Sequence, residues 1–177
     1  MTLKPKSEEV SLVDAITAVC KLTGALEKKV ALRTGTEEAD RLKSLLYNVK
    51  NHLQRILEDS GKSNFQIQLG TGNGYVPRVP WIFVSKTRGP VSSKRGLAIC
   101  FGRQGNGVVV GKMFPIGEEK GQTIRERRRN DPEFIDVDGD TIVTRYNNRF
   151  VGPIEVFLDT PKMFQLEALL KSLFKSL

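Results

Sequence analysis

Carboxylates are missing from the middle of this chain. Between Ser60 and Gly117 there is no Asp or Glu, yet the stretch carries eight basic residues: Lys62, Arg78, Lys86, Arg88, Lys94, Arg95, Arg103 and Lys112. The chain has 28 basic and 20 acidic residues, a net charge of +8. Outside the stretch the two signs balance, so the whole excess sits inside it. Carboxylates repel phosphates, so a long acid-free, base-bearing segment is what a nucleic-acid face requires. Strand positions are poor in Asp and Glu for their own reasons, which is the competing account of the same absence.

Other scarcities exclude chemistry. There is a single histidine, His52, placed mid-helix one step off an apolar stripe. With it and two cysteines, no zinc site of the usual ligand types can be assembled. A Ser or Cys triad would have to use that same histidine. Cys20 and Cys100 fall in apolar surroundings on different elements and read as small buried hydrophobes rather than a disulfide. No apolar run approaches the roughly 20 residues that span a bilayer, and Met1 to Glu9 lacks the apolar centre of a signal peptide. The expectation is a soluble cytoplasmic protein without a membrane partner. Gly70 to Gly74 is glycine-rich, but no Gly-Lys-Ser/Thr follows and no helix opens behind it, so it is neither a P-loop nor a dinucleotide fingerprint. Glu118, Glu119 and Lys120 echo a metal nuclease triplet without its upstream Asp. Asp136, Asp138, Asp140 and Glu155 are carboxylates that a Mg²⁺ ion would use, but the Asp138-Gly139 turn explains the first three more simply. The expectation is therefore a non-enzyme with no metal and no cofactor.

What is present divides by period. Residues 1–60 read as helical: a segment capped by Ser7 with Val10, Val13, Ile16, Val19 and Cys20 at helical spacing and Gly24 at its end, a short helix over 25–33, then the strongest helix. Thr36 caps the last, Glu37, Glu38 and Asp40 load its first turn, Leu42, Leu45, Leu46, Val49, Leu53, Ile56 and Leu57 form one stripe, and Ser60-Gly61 closes it. Residues 61–158 read as mostly strands: Phe65–Leu69, Trp81–Val84, Leu97–Phe101, Val108–Val110, a hairpin about Asp138-Gly139 and Phe150–Leu158, with a possible short helix from Thr123. Thr160-Pro161 opens a final helix over 160–177 with apolar Met163, Leu166, Leu169, Leu170, Leu173 and Phe174. The fold class is α+β, a central antiparallel sheet with N-terminal helices and a C-terminal helix, in a single domain over 1–177.

The loop and strand from Gly70 to Val84 concentrate the binding chemistry. Tyr75 and Trp81 offer flat apolar faces for a base, and Arg78 between them reaches a phosphate or a base edge. Trp81 taken alone, at a strand start after proline, reads first as a core residue. Lys86, Arg88, Lys94 and Arg95 make the next loop basic. Arg125, Arg128 and Arg129 share a face if 123–130 is helical, where they would track a backbone or simply be solvated.

These motifs together resemble a known family. Gly70-Thr-Gly-Asn73, then Val79-Pro-Trp-Ile-Phe83, then Gly96-Leu-Ala-Ile-Cys-Phe101, then Val108-Val-Val-Gly111 are similar to the N-terminal DNA-binding domain of McrB, the recognition and GTPase subunit of a bacterial modification-dependent restriction system. The similarity is clearest over Phe65 to Lys112. It implies binding of double-stranded DNA carrying a modified base, 5-methylcytosine in the family, flipped into an aromatic-walled pocket. Trp81 matches the tryptophan wall. Thr71 stands where the best-known member has tyrosine, and Tyr75, in a longer loop, is the candidate to substitute. A second pocket tyrosine aligns near Gly96 or Leu97 and is missing, and Cys100 falls near an aliphatic pocket residue. These departures bear on which base is read rather than on DNA binding. The implied base pocket is Trp81, Tyr75, Thr71, Leu97 and Cys100; the implied backbone contacts are Arg78, Lys86, Arg88, Lys94, Arg95, Arg125, Arg128 and Arg129. The motor has no counterpart in these 177 residues. A GTPase motor and a nuclease subunit would be partners in the full system, with this chain either a domain of a longer protein or a stand-alone relative. The rival expectation is a basic interaction module that docks an acidic protein.

Overall fold

The computed structural model describes residues 10–25, 32–70, 74–76, 80–90, 94–101, 107–115 and 149–177. Helix α1 spans Leu12–Ala25 and α2 spans Glu37–Asp59. Strands follow at Gln66–Gly70 (β1), Trp81–Ser85 (β2), Gly96–Phe101 (β3), Gly107–Phe114 (β4) and Arg149–Phe157 (β5). Two helical segments end the chain, α3 at Pro161–Phe164 and α4 at Leu166–Lys175. The five strands form one antiparallel sheet in the order β1-β2-β3-β4-β5. The fold is α+β, with helices at both chain ends flanking the sheet in sequence, as expected.

Local chemistry sets the helix ends. Ser11 Oγ accepts from the Asp14 amide at 3.1 Å, and Asp14 takes hydrogen bonds from the Ser11 hydroxyl at 2.7 Å and the Ser11 amide at 3.3 Å. This reciprocal cap satisfies two orphan donors and starts α1 at Leu12. The cap expected at Ser7 lies outside the described residues, and Val10 is 57% exposed, outside the apolar stripe. For α2, the Thr36 hydroxyl accepts from the Ala39 amide at 3.4 Å and donates to the Arg33 carbonyl at 2.8 Å. Its predicted stripe is buried except Leu45, which is half-buried. The final helix is not continuous. Gln165 departs from ideal helical geometry at φ −94°, ψ 0° and divides α3 from α4.

Side-chain alternation gives the sheet two apolar faces. Ile82, Val84, Leu97, Ile99, Phe101, Val108, Val110 and Val156 join the helices in the main core. Helix α1 packs on β3 and β4, α2 on β1, and α4 on α1. On the opposite face Phe83, Ala98, Cys100, Val109 and Met113 form a second buried cluster, with Trp81 and Phe157 packed against it. The hairpin about Asp138-Gly139 and the segment from Thr123 lie outside the described residues.

Candidate nucleic-acid interface

Trp81 begins β2 at one end of the sheet. Its neighbours in register are Gly70 on β1 and Cys100 on β3. The Phe101 amide donates to the Pro80 carbonyl at 2.8 Å, which carries the β2–β3 ladder back to the proline and fixes the approach to Trp81. The indole lies directly over Gly70: a β-carbon there would run into Cε2, Nε1 and Cδ2 of Trp81. Any side chain at 70 would evict the indole, so the glycine is its seat. Trp81 is half-buried, packed on this seat and on the second-face cluster.

Cys100 stands beside Trp81 on the same face and is 2% exposed; burial pushes its thiol up to about 12. Leu97 does not belong to this site. It is fully buried and points to the helix-side core, because β3 alternates and 97 and 100 fall on opposite faces. The missing tyrosine near Gly96 also has a steric account. A β-carbon at Gly96 would collide with the Val84 carbonyl oxygen and lie 2.6 Å from Cζ of Phe83, whose ring occupies the space. Neither relation is visible without strand register.

Tyr75 is placed by an unexpected pairing. The stretch before α2 forms a bridge with the loop after β1: Arg33 pairs with Tyr75, the Thr34 amide donates to the Gly74 carbonyl at 3.0 Å, and the Val76 amide donates to the Leu32 carbonyl at 2.8 Å. Val76 enters the helix-side core and Tyr75, one position earlier, is 55% exposed. Thr71 and Arg78 lie outside the described residues, as do Arg125, Arg128 and Arg129.

The basic loop sits at the other end of β2. Lys86 and Arg88 are exposed. Arg95 is exposed and lies over the Phe114 ring at 5.6 Å. Lys94 is different: it is 4% exposed, donates to Gln68 Oε1 and, at 3.1 Å, to the Thr87 carbonyl, and stands 5.8 Å from the Phe83 ring centroid. Burial holds its pKa below the ordinary lysine value. The expectation that it meets a phosphate is therefore corrected: its ammonium is spent inside the protein. Four strand steps separate Trp81 from Ser85, about 13 Å at the usual rise. Duplex phosphates recur at about 3.4 Å per strand, so both ends fall within roughly four base pairs.

The bridge to 74–76 brings the start of α2 to the Trp81 end of the sheet, and Glu37, Glu38 and Asp40 are exposed there. Among the described residues no group of three or more His, Cys, Asp or Glu is arranged to hold a metal, and no helix is long and apolar enough to cross a membrane. No family model matches the chain, and comparison with curated proteins and with solved structures finds no match.

Proposed function

We propose that this chain is a DNA-recognition domain that reads a modified base in duplex DNA, by base flipping toward Trp81, within a modification-dependent restriction system of the McrB kind. The observation that carries the reading is the placement of a partly open indole. Trp81 is seated on Gly70 on the face away from the helices, about 13 Å along one strand from an exposed basic loop. A flipped base needs a flat wall that is already held in place, and the glycine seat holds the indole. Lys86, Arg88 and Arg95 supply positive charge where the chain has no carboxylates nearby in sequence. Cys100 lines the seat without being a reactive group. Translocation and cleavage would belong to a GTPase motor and a nuclease.

The test is a binding panel of otherwise identical duplexes carrying plain, methylated, hydroxymethylated or glucosylated cytosine, or methylated adenine. The expected result is a steep salt dependence for all of them, preference for one, and quenching of the single tryptophan by that one. Shallow salt dependence with no preference would overturn the reading in favour of a module that docks an acidic protein.

A further inference from the structure

The loop after β2 is not held by its own backbone alone. The Ser85 hydroxyl and the Lys94 ammonium both donate to the Thr87 carbonyl, at 3.0 and 3.1 Å. Lys94 also donates to Gln68 Oε1, and Gln68 Nε2 donates to the Gly89 carbonyl at 3.3 Å. Gly89 has φ +117°, a conformation that L side chains rarely adopt. Two strand side chains, Ser85 and Gln68, and one buried cation thus tie the loop through the carbonyls of Thr87 and Gly89. Lys86 and Arg88, alternating with those tied positions, are exposed.

A buried lysine is costly, and both of its acceptors here are neutral. A Leu or Met at 94 would pack on Phe83 with no such cost. What the ammonium supplies is two hydrogen bonds that fix Thr87 and orient Gln68, together with a positive charge within a stretch of sequence that carries no Asp or Glu. Both effects favour an anion at the loop surface.

We infer that the 86–89 loop is a preformed seat for backbone phosphates of duplex DNA, with Lys86 and Arg88 as the contacts and buried Lys94 and Gln68 as positioning residues that touch no phosphate. This rests on the DNA-recognition reading above and adds how that reading's charged end works. Ordering the loop beforehand removes the backbone entropy that a mobile loop would lose on binding.

The experiment measures the affinity of the full chain for an unmodified 20-base-pair duplex from 50 to 300 mM salt. The variants are Gln68→Leu, Lys94→Met, Lys86→Ala/Arg88→Ala, and each of the first two combined with the third, all checked for folding by circular dichroism. Each lost phosphate contact lowers the slope of log affinity against log salt by about one unit. Gln68→Leu removes no charge, yet it is expected to lower the slope by about one to two units. Lys94→Met is expected to do the same, and neither is expected to act further in the Lys86→Ala/Arg88→Ala background. A wild-type slope in Gln68→Leu, or a one-unit loss from Lys94→Met in both backgrounds, overturns the positioning role while leaving DNA recognition intact. If Lys94→Met does not fold, the Gln68→Leu slope decides alone. A wild-type chain that fails to bind the duplex, or binds without salt dependence, overturns the recognition reading and this inference together.

Discussion

The indole of Trp81 fills the space a β-carbon at position 70 would need, so Gly70 accepts no side chain while the indole stays in place. Gly70→Ala puts a methyl group into the ring, so the ring must move off the strand. The expected outcome is a red-shifted tryptophan emission and a loss of about 1–3 kcal/mol in denaturant unfolding, the usual range for overpacking. Trp81→Ala removes no charge. Under the proposed function it leaves the salt slope at its wild-type value and abolishes the preference for a modified duplex. Base–aromatic stacking of about 1–3 kcal/mol sets the size of that loss. A folded Trp81→Ala protein that still prefers the same duplex would remove Trp81 from the recognition step.

At the scale of elements, α2 has the strongest independent support. It has a side-chain cap, acids in its first turn and a stripe that is almost wholly buried. Its cap and its core contribute unequally. Thr36→Ala is expected to cost about 1 kcal/mol, since the hydroxyl satisfies one helix donor and binds the Arg33 carbonyl. Leu46→Ala, at a fully buried position, is expected to cost about 2–5 kcal/mol through lost burial and a residual cavity. Urea unfolding of the two variants checks the order. The cap has a second consequence: Thr36 is tied to Arg33, which bridges Tyr75, so the loop after β1 is anchored to the start of α2.

Across the whole molecule, one free thiol lies in each apolar cluster, Cys20 on the helix side and Cys100 on the opposite face. Burial pushes each up to about 12 from an ordinary value of 9.0. Between those values an unfolded thiol has lost its proton and a folded one keeps it. The folded state then binds more protons, so stability falls as pH rises. The contribution is fully present below about pH 9 and is lost as pH climbs through about 12. Unfolding midpoints are therefore expected to fall from pH 8 to pH 11, and less steeply in Cys20→Ala/Cys100→Ala. Iodoacetamide at pH 8 is expected to leave both thiols unmodified until denaturant is added. Rapid alkylation of Cys100 in the native protein would mean that the face beside Trp81 is open to small molecules.

Periodicity and turn chemistry are written in the sequence because they depend on near neighbours. The α2 stripe, the Thr36 cap and the antiparallel character of the sheet were legible for that reason. The hidden cation at 94 was not, because a lysine in a basic loop looks like every other lysine until a strand 26 residues away supplies its acceptor. Leu97 and Cys100 looked equally close to a pocket because only sheet register assigns them to opposite faces. By itself the sequence determined the class of fold, the lack of histidine and cysteine for the common zinc sites, and the position of the excess charge, all properties of composition and short-range order. The tertiary structure alone decided which basic residues meet solvent and which glycine seats the tryptophan, because burial and contact are set by chains that meet across the sheet.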